Sequence, residues 1–458
     1  MDSIDYFYFR SLDEIRKPFY DWERQVINVG CSSQDIGIDD EQVNLTIKGK
    51  ENIAKLIHEY IHFLQNFATN WGGPIFVDLA VSLLKIGASS NESEEILKLP
   101  LNKENINNDL LISGLELRES VIERINRSSR SFTHDKSRDA ISVSGPTDGE
   151  FVITNGLTSI DVGLKLIREH MAYLGTQLYL NHNDDEIHSR NLVTFKRNEH
   201  MLARNPEYWI LFEYFYASKC FENVGRGVFF LTQYSLAGLA PNYSIIRFIK
   251  WIHDIDLLAQ RIRPLIDYVQ EWTNLHSEKS ENKKANDKAI AHCESIIKLS
   301  KKYESENHLF EFTRIVTEYT LANILKSEGG MNLFCIEDNF SDLTYWKKKI
   351  DEFGTGIVLY TDGVFAHGLS AENPDLLESF KHFLAGNLIV KKLLTNQIST
   401  CPFLYDIPIC QAEYRDSQNC VKNPFLMLDE KSVDACLFVN GVLMLGLSKR
   451  LELYNSPS

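Results

Sequence analysis

None of the eight cysteines stands in a Cys-x-x-Cys pair, which removes the redox dithiol and the tight zinc knuckle. No phosphate-cradling Gly-x-x-x-x-Gly-Lys loop, no Gly-x-Gly-x-x-Gly turn and no Gly-x-Ser-x-Gly elbow occurs, so nucleotide-binding and serine-hydrolase signatures are missing. A surplus of base is missing too. Against 63 Asp and Glu stand 48 Lys and Arg, a formal net charge of -15. That disfavours nucleic acid as a partner, because phosphate contacts need a basic face. The apolar stretches Val228 to Ala240 and Ala435 to Leu447 are interrupted and too short to span a bilayer. The first residues, Met1-Asp2-Ser3-Ile4-Asp5-Tyr6-Phe7, carry acids in place of a basic-then-apolar leader. The expectation is a cytoplasmic protein with reduced thiols and no membrane partner. Internal repeats and low-complexity tracts are also absent.

What is present is a chain of 458 residues, 44% hydrophobic and 24% charged, enough for more than one domain on a large core. Apolar spacing predicts an α+β, mainly helical fold. Val43, Leu45 and Ile47 alternate with polar neighbours, the period of a strand. A turn is expected at Gly49-Lys50 and a buried helix over about 50–69, stopped by Trp71-Gly72-Gly73-Pro74. Ile75 to Ile86 reads as helix or strand. Leu110 to Ile125 and Ser159 to Leu180 have helical spacing, and Phe151 to Thr154 reads as a strand. The polar stretch Asn126 to Glu150 is expected to be a mobile surface loop, with a lid or processing site as the alternative. Tyr208 to Val224 and Phe229 to Leu239 are apolar and aromatic, and Ile245 to Trp272 continues in helical periods. His276 to Lys288 is charge-rich with no apolar face, a linker or an exposed helix. Helices are expected at Phe310 to Leu325, closed by Gly329-Gly330, and at Leu376 to Leu394. Gly356 to Ala366 reads as a hairpin around Thr361-Asp362-Gly363.

The chemistry concentrates in Leu56-Ile57-His58-Glu59-Tyr60-Ile61-His62-Phe63-Leu64. Two histidines four apart lie on one helix face, one turn apart. Imidazoles so placed can share a Zn²⁺ ion, with the intervening glutamate beside them as a base. The two positions between Glu59 and His62 are uncharged, and neither Pro nor Gly breaks the turn. The bland alternative is a helix that turns His-Glu to solvent.

Residues 54–67 resemble the active-site helix of the zincin metallopeptidases. The resemblance implies zinc held by His58 and His62, Glu59 as general base, and a strand before the helix, which Gln42–Ile47 could supply. Lys55 departs from the family, which usually has an uncharged residue there. The metzincin extension would place glycine at position 65 and histidine at position 68. Here they are Gln65 and Ala68, so that subclass is excluded. Other zincins draw the third ligand from a later helix. Glu169, in Leu166-Ile167-Arg168-Glu169-His170-Met171-Ala172-Tyr173, is the best candidate: a lone carboxylate in an apolar helix needs a partner. Its Glu-x-x-Ala pattern resembles the glutamate helix of gluzincins. Glu119 and Asp78 compete for the role, and an ordinary ion pair of Glu169 with Arg168 or another base is the further alternative. His170 or Tyr173 could stabilise an oxyanion, although packing is the simpler role for each.

The resemblance thus implies a zinc-dependent endopeptidase acting on a protein or peptide, with narrow or triggered specificity. By analogy that suits phage defence, stress response or toxin action. A non-catalytic zincin-fold binding or regulatory protein, and a metal-dependent hydrolase of a non-peptide substrate, are the alternatives. The expected division is a zincin-like catalytic region over 1–270, a charged helical connector over 271–330, and a C-terminal α/β accessory region over 331–458 that could receive a regulatory partner. Cys401, Cys410, Cys420 and Cys436 cluster in the last region. They are buried thiols or a second, structural metal site.

Overall fold

The computed structural model describes residues 19–21, 26–31, 47–89, 97, 101–126, 142–144, 152–154, 159–161, 163–180, 183–197, 209–238, 241–254, 262–275, 278–304, 308–359, 365–366, 374–395, 401 and 436–447. Strands β1 (Phe19–Asp21) and β2 (Val26–Asn28) pair antiparallel. Helices α1 (Ile47–Phe67), α2 (Gly72–Ala88) and α3 (Asp109–Asn126) follow. Strands β3 (Ser142–Ser144), β4 (Val152–Thr154) and β5 (Ser159–Asp161) make a small antiparallel sheet. Then come α4 (Leu164–Tyr179), α5 (Asp184–Arg197), α6 (Ile210–Ala217), β6 (Phe221–Glu222), α7 (Val224–Leu236), α8 (Pro241–Asp254), β7 (Arg263–Pro264) and α9 (Leu265–Leu275). The last part holds α10 (Glu278–Tyr303), α11 (His308–Lys326), α12 (Leu343–Phe353), β8 (Ile357–Leu359), β9 (Phe365–Ala366), α13 (Pro374–Thr395) and α14 (Leu437–Met444). The described chain is mainly helical, as its periodicity predicts.

One sheet joins distant parts of the chain. β8 lies parallel to β2, with Val26 opposite Ile357, and antiparallel to β9. The expected hairpin is therefore present as β8–β9, while its turn lies outside the described residues. A single apolar cluster runs from Ile27 to Leu447 and draws on all three expected regions. Phe67 of α1 packs at a tilt against Phe76 of α2 and lies edge-on to Tyr319 of α11 and Phe380 of α13. The late helices thus brace the helix that carries the motif.

Several boundaries differ from the sequence expectation for physical reasons. The helix of the motif starts at Ile47, so Ile47, Gly49 and Lys50 are helical and not strand and turn. Residues 42–46, the rest of that expected strand, lie outside the described residues. α1 ends at Phe67, and Gly72-Gly73-Pro74 opens α2 instead of closing α1. Proline is tolerated there because the first-turn N–H has no helical partner to lose. A Cβ on Gly72 would lie 2.1 Å from the carbonyl oxygen of Gln65, so glycine is what lets α2 fold back at 74° to α1. Ser159 to Leu180 splits: Ser159–Asp161 is strand, and the helix starts at Leu164. Part of the 126–150 stretch, Ser142–Ser144, is strand, and its expected mobility and lid fall on residues otherwise outside the described ones. The charged segment 276–288 is not a bare linker. Its residues from Glu278 onward enter α10, where Asn282, Ala285, Ala289 and Cys293 form a narrow buried face at helical spacing.

Among the described residues no single helix is long and apolar enough to cross a membrane. The bent pair α1–α2 passes on composition, and its apolar side chains are buried in the core.

Candidate metal centre

One stripe of α1 is polar along its whole length. Glu51 and Lys55 are exposed, His58 is half-buried, and His62 and Gln65 are buried. These positions fall three or four apart, on a single face. The polar stripe therefore runs from solvent into the core and carries the two histidines down with it. The other faces are filled by Ile53, Leu56, Ile57, Tyr60, Ile61, Phe63 and Leu64, all buried. Tyr60 donates from its hydroxyl to the carbonyl of Lys349 on α12 at 2.8 Å. Lys55 reaches Asn52 at 3.2 Å on the exposed end of the stripe, so its charge lies away from the buried end.

α4 runs antiparallel along this stripe. Thr176 donates to the carbonyl of Ala54 at 3.4 Å, a Cβ on Gly175 would collide with Ile61, and Gln65 meets Arg168 at the far end. Between these contacts Glu169 reaches both histidines. Its Oε2 lies 3.2 Å from His62 Nε2 and 3.6 Å from His58 Nε2. The imidazole rings stand edge to face, 5.0 Å apart. Burial pushes the Glu169 carboxyl up, but the two imidazoles outweigh it and hold the group well below the usual carboxylate range.

A metal ion fits this donor set. His58, Glu59 and His62 offer ligand atoms within 4.8 Å of one another. Two ligand atoms about 2.05 Å from a tetrahedral ion lie about 3.3 Å apart, and the two carboxylate–imidazole separations bracket that value. Glu59 is buried beside the pair. It immediately follows His58, about 100° around the helix, whereas Glu169 touches both Nε2 atoms directly. Glu169 thus faces both imidazoles from a second helix, while Glu59 lies in the cluster on the first.

The competitors are engaged elsewhere. Glu119 pairs with Lys103 at 2.5 Å on the surface. Asp78 lies between Arg124 at 2.5 Å and His292 at 3.0 Å. His170 is structural: its Nδ1 lies 3.0 Å from the carbonyl of Leu166, and its Nε2 accepts from the backbone N–H of Leu211 at 2.8 Å. That pins α6 to α4 and leaves neither ring nitrogen for an oxyanion. Tyr173 donates to Asn191 Oδ1 at 2.6 Å, so its phenolic proton is committed in this structure.

That bond leads to a group that sequence reasoning passed over. Asn191 donates to Glu213 Oε1 at 2.6 Å, and Glu213 Oε2 lies 2.6 Å from His188 Nδ1. The imidazole of His188 stacks on Tyr216, with centroids 4.5 Å apart. Burial pushes the Glu213 carboxyl up, against the hydrogen bond from Asn191 and the charge of His188. Glu213 sits in Ile210-Leu211-Phe212-Glu213-Tyr214-Phe215, a lone carboxylate in an apolar helix. The signal that singled out Glu169 was present here as well.

Cys401 and Cys436 are buried, while Cys410 and Cys420 lie outside the described residues. A buried cluster that could hold a metal ion is thus present at His58, Glu59 and His62. No family model, no curated protein and no solved structure matches this chain, so its chemistry is read from these side chains themselves.

Proposed function

We propose that the chain is a zinc-dependent endopeptidase of gluzincin-like design, with His58, His62 and Glu169 as the metal ligands and Glu59 as the general base. The observation that carries this reading is the approach of Glu169, from a separate helix, to the Nε2 atoms of both histidines. Two imidazoles and one carboxylate are a donor set that suits catalytic zinc. Bound zinc acts as a Lewis acid that makes water a nucleophile near neutral pH and polarises a carbonyl.

The chain's own groups supply the proton chemistry. Glu59 takes a proton from the attacking water and returns it to the leaving amine. The burial of Glu59 and His62 keeps bulk water from the base. His58, half-buried where the stripe meets solvent, marks the side from which a peptide enters. The substrate is a protein or peptide, the setting cytoplasmic, and specificity narrow or triggered, with the C-terminal region open to a regulatory partner.

The test is Glu59→Gln. Purified wild type and variant should each carry about one zinc per chain by elemental analysis, while the variant loses roughly 10²- to 10⁴-fold in cleavage rate. Comparing protein termini in cells expressing the two forms would reveal the substrate. Full cleavage by Glu59→Gln would overturn the mechanism. Unchanged termini would favour a binding role, and a small-molecule product would favour a non-peptide substrate.

A further inference from the structure

Gln65 enters the sequence argument only as the residue that replaces a family glycine. In the structure it is fully buried and hydrogen-bonded at both ends of its amide. Its Nε2 donates to the carbonyl oxygen of Arg168 at 3.0 Å. Its Oε1 lies 3.2 Å from Arg168 Nε and 3.0 Å from His62 Nδ1. The Arg168 guanidinium rests over the ring of Trp71, 5.7 Å from its centroid, in the turn that ends α1.

The chemistry of these partners leaves one arrangement. A backbone carbonyl can only accept, so the amide nitrogen of Gln65 must face Arg168 O. An arginine Nε–H can only donate, so Gln65 Oε1 accepts from it. The same oxygen can then only accept from His62, and His62 Nδ1 must carry a hydrogen. In the neutral ring Nε2 keeps its lone pair, directed at Glu169. A contact of 3.2 Å between Nε2 and the carboxylate is met by a proton on Nε2, as an imidazolium–carboxylate pair, or by a metal ion between them.

We propose that Gln65, locked by Arg168, is a positioning residue that holds His62 in its Nδ1–H tautomer and so makes Nε2 the metal-ligating atom. This rests on the proposed metal site, which it deepens. The outer hydrogen bond of a ligating histidine fixes both its ring orientation and its tautomer. An amide serves that purpose here because it spans two helices at once. It takes its acceptor duty from His62 on its own helix and its donor duty from the α4 backbone, immediately before Glu169. The clamp therefore sets the spacing of two ligands together.

The first measurement is made on metal-free protein. Long-range proton–nitrogen correlation of the ¹⁵N-labelled His62 ring, at a pH where it is neutral, should show Nδ1–H and a bare Nε2 in wild type. An Nε2–H tautomer would overturn the proposal, whatever becomes of the zinc reading. The second measurement uses Gln65→Leu, which keeps the bulk and removes the acceptor, and Gln65→Glu, which keeps an acceptor. Zinc affinity by chelator competition should fall roughly 10- to 100-fold in Gln65→Leu and recover at least partly in Gln65→Glu. The visible spectrum of the cobalt-substituted protein should change in Gln65→Leu. Arg168→Lys, which lacks the Nε–H held by Gln65, should weaken zinc binding less than Gln65→Leu. If folded Gln65→Leu binds zinc as wild type does, with an unchanged cobalt spectrum, the clamp has no positioning role. If wild type itself binds no metal, the functional proposal fails, while the tautomer measurement still decides the clamp.

Discussion

Two part-buried histidine–glutamate contacts lie on neighbouring helices, and their geometry differs. At the first, Glu169 meets two histidines through their Nε2 atoms, at 3.2 and 3.6 Å, while Gln65 occupies Nδ1 of His62. At the second, Glu213 meets one histidine through Nδ1 at 2.6 Å, and Asn191 takes its other oxygen. The second contact is a completed hydrogen-bond network. At the first, two Nε2 atoms converge on one carboxylate oxygen. Their electrostatics diverge accordingly. Glu169 is held well below the usual carboxylate range by its two imidazoles, whereas burial prevails at Glu213 and pushes it up. Residue type alone does not distinguish the two contacts; the ring nitrogen that each histidine turns to its carboxylate does.

The largest expected effect separates the two carboxylates by metal content. Glu169→Gln should weaken zinc binding by more than the roughly 10- to 100-fold typical of outer hydrogen-bond partners, as read by chelator competition. Glu213→Gln should retain wild-type zinc. Equal loss in both variants would erase the distinction drawn between them.

Stability should show the reverse order of importance. Glu213→Ala leaves His188 and Asn191 without their shared acceptor and should cost about 3 kcal/mol in urea unfolding, with metal content preserved. A pH series sharpens the point. A carboxyl whose folded pKa is raised gives its contribution fully below the unfolded value of about 4.3 and loses it as pH rises through the folded value. Wild type should therefore lose stability relative to Glu213→Gln as pH rises above about 4.3. A difference that stays constant as pH rises would mean that burial does not govern Glu213.

Much of this geometry was legible in the sequence, and the gaps have physical causes. His58 and His62 follow from helical period alone, because a four-residue spacing within one helix needs no tertiary knowledge. Glu169 was readable as a lone carboxylate in an apolar helix, and the same logic applied to Glu213 without being used. What separates them is the partner each meets, and that is set by the antiparallel docking of α4 on α1. Gln65 was read only as a missing glycine, since its role exists through Arg168 at a separation of 103 residues. The start of α1 at Ile47 was missed because Val43, Leu45 and Ile47 alternate like a strand, and burial on most sides of α1 hides the amphipathic contrast that would mark its true beginning. Gly72-Gly73-Pro74 misled for a related reason: breaking residues mark a bend, and the chain uses them to start α2 immediately.

The smallest predicted effect concerns Tyr173, which links the two regions. It stands one turn beyond Glu169 on α4 and donates its proton to Asn191 at the edge of the Glu213 network. Burial pushes its hydroxyl further from ionisation. If the phenol stabilised an oxyanion, Tyr173→Phe would lower kcat by roughly 10²- to 10³-fold, the cost of removing such a donor. Its engagement with Asn191 implies instead a loss of about 1 kcal/mol in stability, with zinc content unchanged and kcat within a few-fold of wild type. Urea unfolding and steady-state kinetics on one variant therefore decide which region owns the residue. A large fall in kcat would show that the phenol leaves Asn191 during turnover and would place Tyr173 with the metal centre.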